Sequence, residues 1–94
     1  MELQLFGINH KTSNVSDRER FIINESNQFL LNTLIKDKYK NIIFSFFGLS
    51  TCNRSEIYIL GKKGVIKSFF EEASKLFYLN EINISQFYFL QDED

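Results

Sequence analysis

Proline and tryptophan are absent from this 94-residue chain, cysteine and histidine occur once each, and glycine only four times. One cysteine cannot close an internal disulfide, and one cysteine with one histidine cannot complete a four-ligand zinc site. An excess of one charge is also missing, since 11 basic residues meet 12 acidic ones. That balance removes any global electrostatic cue for nucleic acid or an anionic membrane. No apolar run reaches the roughly 18 residues needed to span a bilayer. The N-terminus lacks a basic segment followed by an apolar stretch and a small-residue cleavage site. Gly61-Lys62-Lys63-Gly64 does not have the spacing of a phosphate loop or dinucleotide fingerprint. The missing proline excludes no function. A soluble cytoplasmic domain is the expectation these absences leave.

What is present is aromatic. Eleven Phe and four Tyr make 16% of the residues, and 44% are hydrophobic. A chain of this length makes one domain, here residues 1–94, and buries roughly 60–65% of its unfolded surface. Its core is therefore expected to be rich in Phe. The aromatics cluster in apolar runs (Phe44, Phe46, Phe47; Phe69, Phe70; Phe87, Tyr88, Phe89), which argues for core rather than for a platform that stacks bases.

Leu3 to Ile8 reads as a strand and Asn9 to Asn14 as a polar loop. Ser16 and Glu19 have capping-box spacing at a helix start. Asn24 can cap a second helix ending near Lys38, with Leu30, Leu31, Leu34 and Ile35 on one face. Ile42 to Leu49 is a nearly continuous apolar run, suited to a central strand, and Glu56 to Leu60 forms the next. Val65, Ile66, Phe69, Phe70, Ala73, Leu76 and Phe77 fall on one helical stripe, with Lys67, Glu71 and Lys75 on the wet side. Ile84 to Leu90 is the last strand, and Asp92-Glu93-Asp94 a solvated end. The order β-α-β-β-α-β, with two right-handed crossovers, predicts an α+β ferredoxin-like sandwich: a four-stranded antiparallel sheet with helices on one face. That fold hosts many functions and by itself indicates none.

The chemistry lies in Leu49-Ser50-Thr51-Cys52-Asn53-Arg54-Ser55-Glu56-Ile57-Tyr58. A lone cysteine is ordinarily a small buried hydrophobe. Here Ser50, Thr51, Asn53, Arg54, Ser55 and Glu56 surround it with polar side chains between two strands. Such strand ends present reactive groups on a rigid scaffold, and a guanidinium beside a partly exposed thiol favours the thiolate, the nucleophilic form. Arg54 on extended backbone would point the same way as Cys52, unless it is taken up by an ion pair with Glu56. His10 could serve Cys52 as a base, although a hydrogen bond stabilising its turn-rich loop is the favoured role. Lys36, Lys38 and Lys40 read as a solvated helix end.

Two segments together resemble the N-terminal catalytic domain of glutamyl-tRNA reductase: Gly7-Ile8-Asn9-His10-Lys11-Thr12 with Val15-Ser16-Asp17-Arg18-Glu19-Arg20, and Leu49 through Tyr58. The likeness runs from about Leu5 to Tyr58. Ser13-Asn14 stands where the family has Ala-Pro, and Ser55 where it has Thr; neither change removes a reacting group. The resemblance implies an N-terminal fragment of a longer enzyme, with an NADPH-binding domain and a dimerisation domain beyond it. It implies reduction of glutamyl-tRNA by NADPH to glutamate-1-semialdehyde, at the entry to tetrapyrrole biosynthesis. By the same resemblance Cys52 is the nucleophile that forms a thioester, and Thr51, Cys52, Asn53 and Arg54 bind the glutamyl group. A homodimer and association with the aminomutase that follows in the pathway are implied as well. Two competing readings are a non-catalytic RNA- or protein-binding module with Cys52 buried, and a thiol hydrolase using Cys52, His10 and Asn53.

Overall fold

Strand alternation decides which side of the sheet is inside. A computed structural model describes residues 1–77 and 84–91. On β1 (Glu2–Asn9) the side chains of Gln4, Phe6 and Ile8 are buried. Helices α1 (Val15–Arg20) and α2 (Glu25–Lys38) follow, then β2 (Ile43–Ser50), β3 (Arg54–Gly61), α3 (Ile66–Phe77), a 3-10 turn at Ile84–Gln86, and β4 (Tyr88–Gln91). The sheet order is β2-β3-β1-β4 with every pair antiparallel. This is the expected sandwich.

Phe6 is the hub of the core. Its ring stacks on Phe21 at 5.7 Å and meets Phe70 edge-on at 5.0 Å. Leu31 from α2 and Ile66, Phe69 and Ala73 from α3 are fully enclosed around it, with Ile57 and Ile59 from β3. The α3 stripe is thus buried as its periodicity requires; the side chain of Phe77 and the acidic end Asp92-Glu93-Asp94 lie outside the described residues. Gln4 caps the start of α3 from β1: its side-chain oxygen accepts the Ile66 amide at 2.9 Å, and its amide donates to the Lys62 carbonyl at 2.9 Å.

The structure corrects four expectations. Asn14, not Ser16, caps α1: its backbone is extended and its side chain accepts the Asp17 amide at 2.8 Å, which leaves Ser16 inside the first turn. Asn is as good a cap as Ser, so the earlier start wins. The apolar run of β2 forms an edge rather than a central strand, because β3 has β1 on its other side. Two of its aromatics, Phe44 and Phe47, are more than half exposed, and Phe47, opposite Tyr58 in the register, rests on the Tyr58 ring at 5.8 Å. The stretch from Ile84 splits into the 3-10 turn and a four-residue strand, with Phe87 buried between them. Leu30, read with the inner face of α2, is 40% exposed, whereas Leu31 is enclosed.

Candidate functional site

Thr51 to Arg54 form the tight connection between β2 and β3. The Thr51 amide donates to the Arg54 carbonyl at 2.8 Å, and the Thr51 hydroxyl oxygen accepts the amides of Asn53 and Arg54, each at 3.2 Å. A Thr hydroxyl that accepts twice still has its own proton to give. Beside the turn, the His10 amide donates to the Asn53 carbonyl at 2.8 Å, one step past the Asn9–Arg54 pair of the β1–β3 ladder. The loop that follows β1 is wound around Asn9, whose side chain accepts the amides of Lys11 and Thr12. The cysteine turn is therefore clamped from within and from β1.

Below the turn a relay of hydroxyls ties it to the α1–α2 link. A carbonyl can only accept, so Ser55 donates to the Phe21 carbonyl. With its single proton spent, Ser55 accepts from Ser50 across the β2–β3 register at 2.5 Å. Ser50 in turn accepts the Ile23 amide at 2.9 Å.

Cys52 is exposed at the tip. This removes the premise of a binding module with a buried cysteine. Cys52 lines a hollow of about 390 Å³ with Val15, Arg18, Glu19, Ile22 and Thr51, a volume in the range of small-molecule sites. Arg54 lines a second hollow with Asn9, His10, Lys11, Thr51 and Asn53. Cys52 and Arg54 thus open on neighbouring hollows that share Thr51. They were expected to point the same way on extended backbone, but Cys52 lies in a bend and only Arg54 begins β3. His10 belongs to the Arg54 hollow, and no hydrogen bond joins it to Cys52 among the described residues. The triad of a thiol hydrolase is accordingly not assembled.

The Arg54–Glu56 ion pair is present, with Nε 3.6 Å from the Glu56 Oε1. Sequence reasoning did not find what lies around it. Glu56 is 6% exposed and receives two phenols, Tyr58 at 2.8 Å and Tyr88 at 2.5 Å. Burial, reinforced by the Glu56 carboxylate, raises both phenols above the ordinary tyrosine range. The alternation of Arg54, Glu56 and Tyr58 along β3 would have placed those three on one face; nothing in the pattern points to Tyr88.

The turn between β3 and α3 is where this topology could offer a helix start to a dinucleotide pyrophosphate. Gln4 already occupies the Ile66 amide there, so this helix start does not offer that amide to a phosphate. Lys38 is paired with Glu72 at 3.0 Å, in keeping with a solvated helix end. No described helix is long and apolar enough to cross a membrane.

Comparison with known proteins bears on the same residues. The family described as "Glutamyl-tRNAGlu reductase, N-terminal domain" matches residues 6–94. A glutamyl-tRNA reductase of Wigglesworthia glossinidia brevipalpis is 41% identical over 80 residues, which cover 84% of this chain and 17% of that protein. One from Macrococcus caseolyticus (strain JCSC5402) is 44% identical over 59 residues, covering 62% of this chain and 13% of the relative. One from Exiguobacterium sp. (strain ATCC BAA-1283 / AT1b) is 37% identical over 60 residues, 64% and 13% respectively. The chain spans at most 17% of the length of these three relatives.

Proposed function

The chain belongs to the family of the glutamyl-tRNA reductase N-terminal domain, and on that premise we propose that it carries the ester-attacking part of such an enzyme. The Cys52 thiolate attacks the carbonyl carbon of the ester that joins glutamate to the terminal ribose of its tRNA. The sulfur–carbon bond forms, the carbon–oxygen bond to ribose breaks, the ribose oxygen takes up a proton, and tRNA leaves. Glutamate remains on the protein as a thioester, electrophilic enough for reduction. Arg54 takes the glutamyl side-chain carboxylate in a two-pronged, charge-assisted contact. Thr51, shared by both hollows, and Asn53 border the substrate between them.

One observation carries this reading: Cys52 is exposed at the tip of a turn that is hydrogen-bonded internally and to β1, with Arg54 opening on the adjoining hollow. A rigid mount for the nucleophile and a separate cation for the carboxylate are what the acyl transfer requires. NADPH supplies the hydride in the family reaction, to semialdehyde in tetrapyrrole biosynthesis. In this reading the dinucleotide, the dimer contacts and any encounter with the aminomutase fall to sequence beyond these 94 residues, and a charged-tRNA substrate puts the work in the cytoplasm.

The test incubates the chain with glutamyl-tRNA and NADPH and follows tRNA deacylation and semialdehyde against a Cys52→Ser control. Deacylation that depends on Cys52, without semialdehyde, is expected. Deacylation equal in the two proteins would overturn the assignment of the nucleophile.

A further inference from the structure

Glu56 is a buried carboxylate whose surroundings are built across three strands. In the ladder, Gly7 on β1 pairs with Glu56 on β3 and with Tyr88 on β4. Gly7 has no side chain, and a Cβ there would fall 2.6 Å from the Glu56 Cγ. The glutamate therefore lies over the bare backbone of β1 and reaches the Tyr88 phenol on the far side, Oε2 accepting at 2.5 Å. Its other oxygen accepts from Tyr58 at 2.8 Å and faces the Arg54 Nε at 3.6 Å. Both oxygens are thus held before Arg54 is considered.

That arrangement is more than the pair's stability explains. Arg54 has a side chain 52% exposed, and an ion pair with one exposed partner contributes little to folding. What a fixed carboxylate can do is orient. Arg54 sits on a flexible stem, and an anion facing its Nε edge biases the plane of the guanidinium. The terminal edge, which grips a carboxylate in two-pronged fashion, is then left to the hollow it shares with Thr51 and Asn53.

We propose that Glu56, held by Tyr58 and Tyr88 over Gly7, is a positioning residue that aims Arg54 at the carboxylate of the substrate. This rests on the reading of Arg54 given above. Glu56 does not itself touch substrate. Its contribution is selectivity for a side-chain carboxylate over the corresponding amide, because only a correctly oriented fork distinguishes the two.

The experiment titrates the chain, followed by NMR, with L-glutamate α-methyl ester and with L-glutamine α-methyl ester. The first probe carries the ester and the free side-chain carboxylate of the substrate; the second has the amide instead. The parent protein is expected to prefer the glutamate probe by about tenfold. Folded Glu56→Gln is expected to bring the ratio near unity, and Glu56→Asp to restore part of it. A purely structural role would weaken both probes together and leave their ratio intact. Retention of the full ratio in folded Glu56→Gln overturns the proposal while leaving Arg54 as the carboxylate's partner. A parent protein without preference overturns the Arg54 reading and this proposal with it. Should Glu56→Gln not fold, the Arg54 Nε–H resonance of the parent decides: an ordered side chain is expected, and mobility like that of a free surface arginine contradicts the proposal.

Discussion

Gly7 and Glu56 stand opposite each other in the β1–β3 register, and one carbon added to Gly7 would lie 2.6 Å from the Glu56 Cγ and 2.7 Å from the Ser55 carbonyl oxygen. One of those neighbours is backbone and cannot swing aside. The absence of a side chain at position 7 is thus a condition for Glu56 to cross β1. Gly7→Ala should destabilise the domain by about 1–3 kcal/mol, the usual cost of overpacking. A urea midpoint unchanged from the parent would show that the strands part without penalty and that the close approach is dispensable.

Tyr88 links folding to alkaline pH. Burial, then the hydrogen bond to Glu56, raises its phenol above the ordinary value of 10.0. Below pH 10 both folded and unfolded chains keep the proton, and the contribution is complete. Above pH 10 the unfolded chain releases it first, so stability declines by up to ~1.4 kcal/mol per pH unit for each such phenol. Tyr88→Phe should be less stable near neutrality yet lose stability less steeply between pH 10 and 11. Equal slopes in parent and variant would remove Tyr88 from the account.

Arg54→Lys keeps the charge and discards the planar fork. Transfer of glutamate from glutamyl-tRNA to the chain should slow by roughly 5- to 150-fold, equivalent to ~1–3 kcal/mol of charge-assisted contact. Melting temperature should hardly change, since the residue is half exposed. A lysine variant as fast as the parent would free Arg54 from the carboxylate.

Local signals carried most of the fold. The stripe of α3, the Asn24 cap of α2 and the polar turn around Cys52 each depend on neighbours in sequence, and all three stand in the structure. The edge position of β2 could not be read from its composition, because an apolar run reports what its faces tolerate and not which strands adjoin it. The capping choice between Asn14 and Ser16 turned on two residues of comparable strength. The site was half legible. Cys52, Asn53 and Arg54 are consecutive and visible, but their partition between two hollows depends on a bend in the backbone. The Glu56 support needs Tyr88, 32 residues away, and a gap at Gly7; a one-dimensional pattern records neither.

The central claim is that Cys52 takes glutamate from tRNA as a thioester. The direct measurement is the intact mass of the chain after acid quenching of a reaction with glutamyl-tRNA, with peptide mapping of any adduct. One glutamyl group on Cys52, released by hydroxylamine and absent from Cys52→Ser, is the predicted result. An unmodified Cys52 in a reaction where tRNA has been deacylated by the chain, or an adduct that survives hydroxylamine, would contradict the account.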